Sequence, residues 1–402
     1  MRRLVICFDG TWNQVRKPRR VTNVVKFGQA VKPVASDGVT QIVYYNSGVG
    51  TGDLIDRILG GVFGRGIEAN VKRALAFLSL NYEPGDEIYI TGFSRGAYSA
   101  RALAGVIGAA GIPKQAAFNN MERIWHYYRM PKEKRDRLEV DVDEARIRCV
   151  AVWDTVGSYG VPAGVGLGAI VRVLVAWTRG FNDLHPGKCI DIGLHALAID
   201  EKRRPFAPTM WTWPKTETPS RSHIEQVWFA GAHANIGGSY PNTGLSDLAL
   251  VWMVARMEAL GRDKFGSALE FDADWLADNL NPEIAGRLYP SARFWPISSL
   301  WPFNRPVLLK NAALNPSVLW NGEKRDDVHL GERVHWSVDA RYGLSADPLY
   351  RPRNVIFAPS VLAPKTPEEA DILARIDAVR RRGSAAAAGA RRAITPMYGT
   401  ST

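Results

Sequence analysis

Cysteine is scarce in this sequence, with three among 402 residues. Cys7, Cys149 and Cys189 lie far apart among apolar residues, so they predict neither a disulfide framework nor a zinc site. The histidines also lack a pair with metal-ligand spacing, and we expect no metal and no other cofactor. This shortage excludes a small disulfide-stapled secreted protein and favours a reducing compartment.

Long apolar runs are missing as well. The N-terminal run covers only residues 4–8 before Asp9, which is too short for the apolar part of a signal peptide. The most membrane-like stretch, residues 161–177, is rich in glycine, contains Arg172 and falls short of the roughly 20 apolar residues that span a bilayer. We therefore expect a cytoplasmic protein with no signal peptide and no transmembrane helix.

Acidic residues are outnumbered: 40 Asp and Glu stand against 51 Lys and Arg, which gives a formal net charge of +11. A basic balance suits anionic partners such as phospholipid head groups or nucleic acid, and the alternative is a solvated surface with no dedicated ligand. The sequence has no RNA-reading signature, paired Cys–His finger or basic zipper. Nucleic acid is therefore not an expected partner.

Short apolar runs rich in β-branched residues alternate with helix-like segments, which predicts a mostly parallel sheet flanked by helices. The predicted strands are residues 4–8, 41–45, 87–91, 147–153 and 226–230. The predicted helices are residues 23–31, 67–80, 97–108, 122–129 and 246–260. An apolar share of 46% leaves ample material for a large core and excludes a mainly disordered chain.

Two stretches interrupt the alternation and divide the chain. We expect one catalytic domain over residues 1–360, with cap or lid insertions at about 157–190 and 262–330. The first insertion is predicted to be a lid that exposes apolar surface to lipid, and a buried core helix is the alternative. Residues 361–402 are predicted to form a C-terminal helix, through Arg382, followed by a mobile, basic, low-complexity tail.

A glycine–x–serine–x–glycine motif, Gly92-Phe93-Ser94-Arg95-Gly96, joins a predicted strand to a predicted helix. In such a turn the serine is strained and raised above the sheet, and the residues two before and two after it must be small. We predict that Ser94 is a catalytic nucleophile and that the backbone N–H of Arg95 binds the oxyanion. A chance match in a glycine-rich turn is the alternative.

A serine hydroxyl needs a histidine base, and the histidine needs an acid that fixes its tautomer. Asp154 ends the predicted strand 147–153, which fits the acid, although a helix N-cap or surface role is the alternative. His233 opens a glycine-rich loop after a strand and is the predicted base, with His335 as its substitute. His195 lies inside a regular apolar pattern and is predicted to be a core residue.

The second oxyanion donor is expected from a loop after another strand near the serine turn. The segment Asp9-Gly10-Thr11 follows the first predicted strand, and glycine permits close backbone approach there. The N–H of Gly10 or of Thr11 is the candidate, and an ordinary Asp-Gly turn is the alternative.

Five segments carry a resemblance to a known family. They are FDGTWN (8–13), GFSRGAYSAR (92–101), VWDTVG (152–157), HALAIDEKRRPF (195–206) and VWFAGAHANIGGSYP (227–241). In matching order they resemble the bacterial α/β-hydrolase-domain family that includes type VI secretion phospholipase effectors, over about residues 1–350. The resemblance implies an α/β-hydrolase-like fold, hydrolysis of phospholipid acyl esters and a triad of Ser94, Asp154 and His233. Asn235 stands where the family usually carries an acidic residue.

Three functions remain open at this point. The first is a serine esterase of lipids, phospholipase A-like, with peripheral contact to an anionic membrane. The second is a carboxylesterase or thioesterase that acts on small soluble acyl substrates. The third is a non-catalytic scaffold in which the serine turn survives only as packing.

Overall fold

A parallel β-sheet forms the centre of the protein in a computed structural model. The structure describes residues 1–10, 21–48, 62–156, 187–203, 206–214, 222–291, 304–308, 319–320, 323–324, 327–329, 331–342, 344, 350–355 and 359–393. The predicted lid therefore lies almost entirely outside the described residues, as do Thr11 and the end of the basic tail. Among the described helices, none combines the length and the apolar character needed to cross a membrane.

Eight strands make up this central sheet. In chain order they are β1 (Arg3–Phe8), β2 (Gln41–Asn46), β3 (Glu87–Phe93), β4 (Ile147–Trp153), β5 (Ile190–Ala198), β6 (His223–Phe229), β7 (Glu332–His335) and β8 (Leu362–Ala363). Their spatial order is β8-β7-β6-β5-β4-β3-β1-β2, and every neighbouring pair is parallel. The predicted α/β-hydrolase-like fold, a mostly parallel sheet flanked by helices, is confirmed.

Helices cover both faces of the sheet. They are α1 (Asn23–Ala30), α2 (Val62–Asn81), α3 (Arg95–Ala110), α4 (Met121–Arg129), α5 (His233–Gly237), α6 (Gly244–Phe265), α7 (Ala273–Asn279), α8 (Trp336–Tyr342) and α9 (Pro367–Ala393). Within the described ranges, three short ladders lie outside the sheet: Ile112–Pro113 with Val142–Asp143, Thr212–Pro214 with Asp327–His329, and Leu319–Trp320 with Glu323–Lys324. Helix α9 continues eleven residues beyond the predicted end at Arg382.

The alternation of side chains along β1 explains the two helical layers. Leu4, Ile6 and Phe8 belong to the apolar cluster beneath α2, α3 and α4. Val5 and Cys7 belong to the cluster beneath α1, α6, α7 and α9. Because successive strand residues point to opposite faces, one strand buried on both sides must be apolar throughout.

Strand β5 was not among the predicted strands, although it lies between β4 and β6 in the middle of the sheet. It follows directly after the glycine-rich insertion, and its apolar run contains Gly193 and His195. Both features weaken a strand pattern read from sequence. The structure shows that His195 is wholly buried, as the sequence predicts, and that its Nε2 accepts a hydrogen bond from the Thr155 N–H.

The order in which successive strands are added to the sheet reverses at β1. Strand β2 lies on one side of β1 and β3 on the other, so the carboxyl ends of β1 and β3 flank a topological switch point. Open α/β sheets bind their ligands in the crevice at such a point. Ser94 directly follows β3, which sets the serine turn in this crevice.

Gly96 is where the serine turn touches β1 most closely. A Cβ atom at this position would lie 2.2 Å from the Phe8 carbonyl oxygen, so Gly96→Ala should destabilise the fold by at least about 3 kcal/mol. Gly28→Ala in α1 is the matched control, because its Cβ would meet Val43 at an ordinary 3.5 Å. Urea unfolding should show the loss only for Gly96→Ala, and similar stability of the two variants would contradict the packing argument.

Candidate active site

The serine turn has the strained geometry that its motif predicts. Ser94 has φ 59° and ψ −119°, a conformation that residues other than glycine rarely adopt. Its N–H donates to the Trp153 carbonyl at 3.0 Å, which ties the turn to the end of β4. A Cβ at Gly92 would come within 2.5 Å of the Gly96 carbonyl oxygen, so both flanking positions exclude larger residues.

His233, the first residue of α5, stands between Ser94 and Asp154. Its Nε2 lies 2.8 Å from Ser94 Oγ, and its Nδ1 lies 2.6 Å from Asp154 Oδ2. The imidazole packs against Phe93 at 4.6 Å and meets the edge of Phe206 at 5.0 Å between ring centroids. A hydroxyl, an imidazole and a carboxylate that are hydrogen-bonded in this order form the arrangement that activates a serine for acyl transfer.

Asp154 follows β4 and has no solvent exposure. It also has a positive φ of 40°, and its Oδ1 accepts the N–H of Ala198 at the end of β5 at 3.0 Å. The backbone bends sharply at the carboxyl ends of both β3 and β4, and each bend turns a polar side chain toward His233. The three residues named from the sequence are therefore brought together, while their catalytic role stays a prediction.

Arg305 is the partner of this site that the sequence did not reveal. Its Nη1 lies 2.5 Å from Asp154 Oδ1 and its Nη2 lies 3.0 Å from Asp154 Oδ2, so the guanidinium spans both carboxylate oxygens. The same two nitrogens donate to the carbonyls of Ala198 and Phe206. Arg305 comes from the stretch predicted as the second cap insertion, and no local pattern around it indicated a role in the site.

The charges around His233 set its protonation state. Burial by itself would raise the pKa of Asp154, but the charge of Arg305 and the hydrogen bond from His233 outweigh it, so the pKa lies below its usual range. Burial lowers the pKa of His233, and Asp154 offsets this only in part. At neutral pH the carboxylate is thus ionised and the imidazole is neutral, the states that a general base requires.

A second carboxylate, Glu201, supports the same histidine from the other side. Its Oε2 accepts the backbone N–H of His233 at 3.3 Å, and its two oxygens hold the guanidinium of Arg203 at 2.9 Å. The Arg203 guanidinium stacks 3.6 Å from the centre of the Phe206 ring. Glu201 and Arg203 follow directly after β5, so recognising that strand would have drawn attention to them.

Comparisons with known proteins now bear on this site. The model of the T6SS phospholipase effector Tle1-like catalytic domain matches residues 2–256, which include Ser94, Asp154 and His233. The chain belongs to this family. The matched residues end within α6, and Arg305 lies beyond them.

Two individual proteins are similar to the chain. YEL023C, an uncharacterized protein of Saccharomyces cerevisiae, is 30% identical over 239 residues, which are 52% of this chain and 32% of the yeast protein. The chain thus matches about a third of the length of this relative. A crystal structure of an uncharacterized protein from Pseudomonas aeruginosa covers 68% of this chain and 47% of its own, with 15% identity and a TM-score of 0.39. These values are too low to transfer any property.

The Gly10 N–H has a hydrogen-bond partner in the preceding residue. The Gly10 N–H donates to Asp9 Oδ1 at 2.6 Å, and the same carboxylate accepts hydrogen bonds from Thr22 and Tyr45. The role of Gly10 as an oxyanion donor stays a prediction. Thr11 lies outside the described residues, and Arg95, which begins α3, keeps its predicted place directly after Ser94.

His335, the alternative base, is engaged elsewhere. Its Nδ1 lies 2.7 Å from Ser337 Oγ and its Nε2 lies 3.0 Å from Glu369 Oε1, and the ring stacks on Phe229. This histidine connects β7 to α9 and is fully buried. The choice of His233 over His335 therefore agrees with the hydrogen bonds of both rings.

Asn235, two residues after His233, forms hydrogen bonds through both the oxygen and the nitrogen of its side-chain amide. Its Oδ1 accepts the N–H groups of Ala232 and Tyr289, each at 3.2 Å. Its Nδ2 donates to the Arg287 carbonyl at 3.1 Å, which a carboxylate cannot do. The amide thus joins the His233 loop to the segment after α7.

Asn235→Asp should weaken the protein because it turns a donor toward the Arg287 carbonyl into an acceptor. We expect a loss of about 1–3 kcal/mol in the free energy of unfolding at pH 7, together with slower chemistry at Ser94. Asn119→Asp, at an exposed position, is the control and should change neither. A gain of stability in the Asn235 variant, measured by urea unfolding, would contradict these hydrogen-bond assignments.

Proposed function

We propose that this chain is a serine hydrolase that cleaves acyl esters of lipids in the manner of a phospholipase A. Membership of the Tle1-like phospholipase effector family indicates lipid hydrolysis in general. The serine mechanism and the phospholipid substrate are the proposal. The observation that carries it is the unbroken line of hydrogen-bonding atoms from Ser94 through His233 to Asp154, at 2.8 and 2.6 Å.

In the first half of the reaction, Ser94 Oγ attacks the acyl carbonyl carbon while His233 Nε2 takes the hydroxyl proton. The carbonyl oxygen becomes an oxyanion, and the N–H of Arg95 at the start of α3 stabilises it together with the positive end of the helix dipole. The imidazolium then gives its proton to the leaving lipid alcohol, and an acyl–Ser94 ester remains.

In the second half, water replaces the lipid alcohol. His233 takes a proton from the water as it attacks the acyl–Ser94 ester, and then returns that proton to Ser94 Oγ as the fatty acid leaves. Asp154 holds the Nδ1–H of His233 throughout, which keeps Nε2 directed at Ser94. No external oxidant, metal or cofactor enters either half of this scheme.

A positive charge beside the base favours a phosphate-bearing lipid over a small neutral ester. Arg203 has a side chain that is 20% exposed, and it stacks on the same Phe206 ring that contacts His233. Glu201 accepts hydrogen bonds from Nε and Nη2 of the guanidinium. Because arginine carries five N–H donors, N–H groups beyond these two can bind a phosphate. We propose that Arg203 contacts the lipid phosphate.

Replacing Ser94 with alanine removes the attacking oxygen, so phospholipid hydrolysis should fall by about 10⁴-fold or more. Ser99→Ala is the matched control, because Ser99 is also buried in α3 and only bonds the Arg95 carbonyl. Fatty-acid release and labelling by a fluorophosphonate probe measure both variants. Equal labelling of Ser94→Ala and the parent chain would refute the nucleophile, and a folded parent that does not label would favour a non-catalytic scaffold.

Arg203→Gln should lower phospholipid hydrolysis by about 10-fold more than hydrolysis of a short p-nitrophenyl ester, since only the phospholipid loses a charge-assisted bond. Lys202→Gln is the control, because it removes a neighbouring exposed charge that lies outside the site. The readout is the ratio of kcat/KM for the two substrates. If Arg203→Gln and Lys202→Gln change this ratio equally, Arg203 attracts phospholipid only through the general positive charge of the surface. If the parent chain prefers the short ester, the carboxylesterase function is favoured.

A further inference from the structure

Asp154, the carboxylate at the centre of the site, contacts an arginine in addition to His233. Both oxygens of Asp154 contact the Arg305 guanidinium, at 2.5 and 3.0 Å, and one of them also contacts His233. Arg305 is 1% exposed and Asp154 is not exposed at all, so water screens neither charge. The ion pair is therefore a strong local electrostatic feature in direct contact with His233 through Asp154.

Several separate segments hold Arg305 in this place. Its backbone carbonyl accepts a hydrogen bond from Asn354 at 3.0 Å, and the N–H of Leu308, three residues on, donates to Glu332 at 2.7 Å. Its guanidinium donates to the carbonyl of Ala198, the last residue of β5, and to the carbonyl of Phe206, whose ring contacts the imidazole. A side chain fixed at both its backbone and its guanidinium keeps Asp154 in one orientation.

We propose that Arg305 is a positioning residue that keeps the buried Asp154 ionised and shares its charge, so that His233 remains a neutral base well into the acid range. The inference rests on the proposed function, since it concerns the base of that reaction. A carboxylate that is buried without a cation takes up a proton. A buried carboxylate that is paired only with an imidazole stabilises the imidazolium and so raises the pKa of the histidine. Arg305 opposes both effects through the same pair of hydrogen bonds.

Other charged groups also face the histidine and the carboxylate, and they fix the sign of the expected change. They are Glu201 and Arg203 after β5, His195 within β5, and Arg305 itself. Glu201 forms its ion pair with Arg203, whereas Arg305 forms its ion pair with Asp154 and has a longer-range attraction to Glu201. Loss of the Arg305 charge should therefore let Asp154 attract a proton to His233, and the acid limb of activity should move to higher pH.

The test is the rate of fluorophosphonate labelling at Ser94 in the full chain, measured as a function of pH. Arg305→Met should raise the midpoint of the acid limb by about 1–3 pH units and slow the plateau rate, whereas Arg305→Lys should keep the midpoint and slow only the plateau. Arg256→Met is the control, because it breaks a two-bonded Arg–Glu225 pair near the opposite end of β6. It should lower stability and leave the midpoint unchanged.

The outcomes separate this inference from the proposed function. A parent chain that does not label at Ser94 overturns the proposed function, whatever Arg305 does. The inference is overturned if the parent chain labels at Ser94 and the Arg305→Met variant has the same pH midpoint of labelling. Arg305 would then have a structural role only. Where Arg305→Met does not fold, the NMR titration of His233 in Ser94→Ala protein decides: protonation below pH of about 6.5 supports the inference, and protonation above it overturns the inference.

Discussion

The negative charge of Asp154 is the constraint on which the rest of the site depends. A carboxylate with no contact to water is stable in its ionised form only if cations and N–H groups surround it. Here the Arg305 guanidinium, the His233 Nδ1–H and the Ala198 N–H supply those contacts, and they come from three distant parts of the chain. The sheet fixes the Ala198 N–H and the backbone of Asp154, and the remaining two contacts determine which way His233 faces. Removing any one partner would leave a buried charge that the others cannot fully compensate.

Strain at the carboxyl ends of the central strands is the second common element. Ser94 and Asp154 both have positive φ values, and both directly follow parallel strands that are hydrogen-bonded to each other. Regular strand geometry would direct their side chains into the helical layers above and below the sheet. The bends direct them instead to one point at the edge, and the close contact of Gly96 with the Phe8 carbonyl holds the serine turn down against β1. Packing around the turn thus supplies the free energy that the strained conformation requires.

Two arginines lie near His233 and have different surroundings. Arg305 is enclosed and interacts with the acid, whereas Arg203 is partly exposed and lies on the side that Phe206 shares with the imidazole. Arg203 lowers the pKa of His233 by direct repulsion. A similar effect of Arg305, exerted through Asp154, is the proposal made above. His233 is therefore neutral at physiological pH, and the partly exposed Arg203 adds a positive charge near the imidazole.

The sequence by itself determined the alternating α/β architecture, the serine turn and the identities of Ser94, Asp154 and His233 as neighbours, because each depends on a local pattern at a strand end. It also determined that His195 is a core residue, since its apolar surroundings are continuous in sequence. Tertiary structure alone decided the rest. Strand β5 was not predicted because a glycine and a histidine interrupt its apolar run. Arg305 could not be predicted because it reaches Asp154 from 151 residues away. Contacts between segments so far apart leave no periodicity in either segment, so only the folded chain defines them.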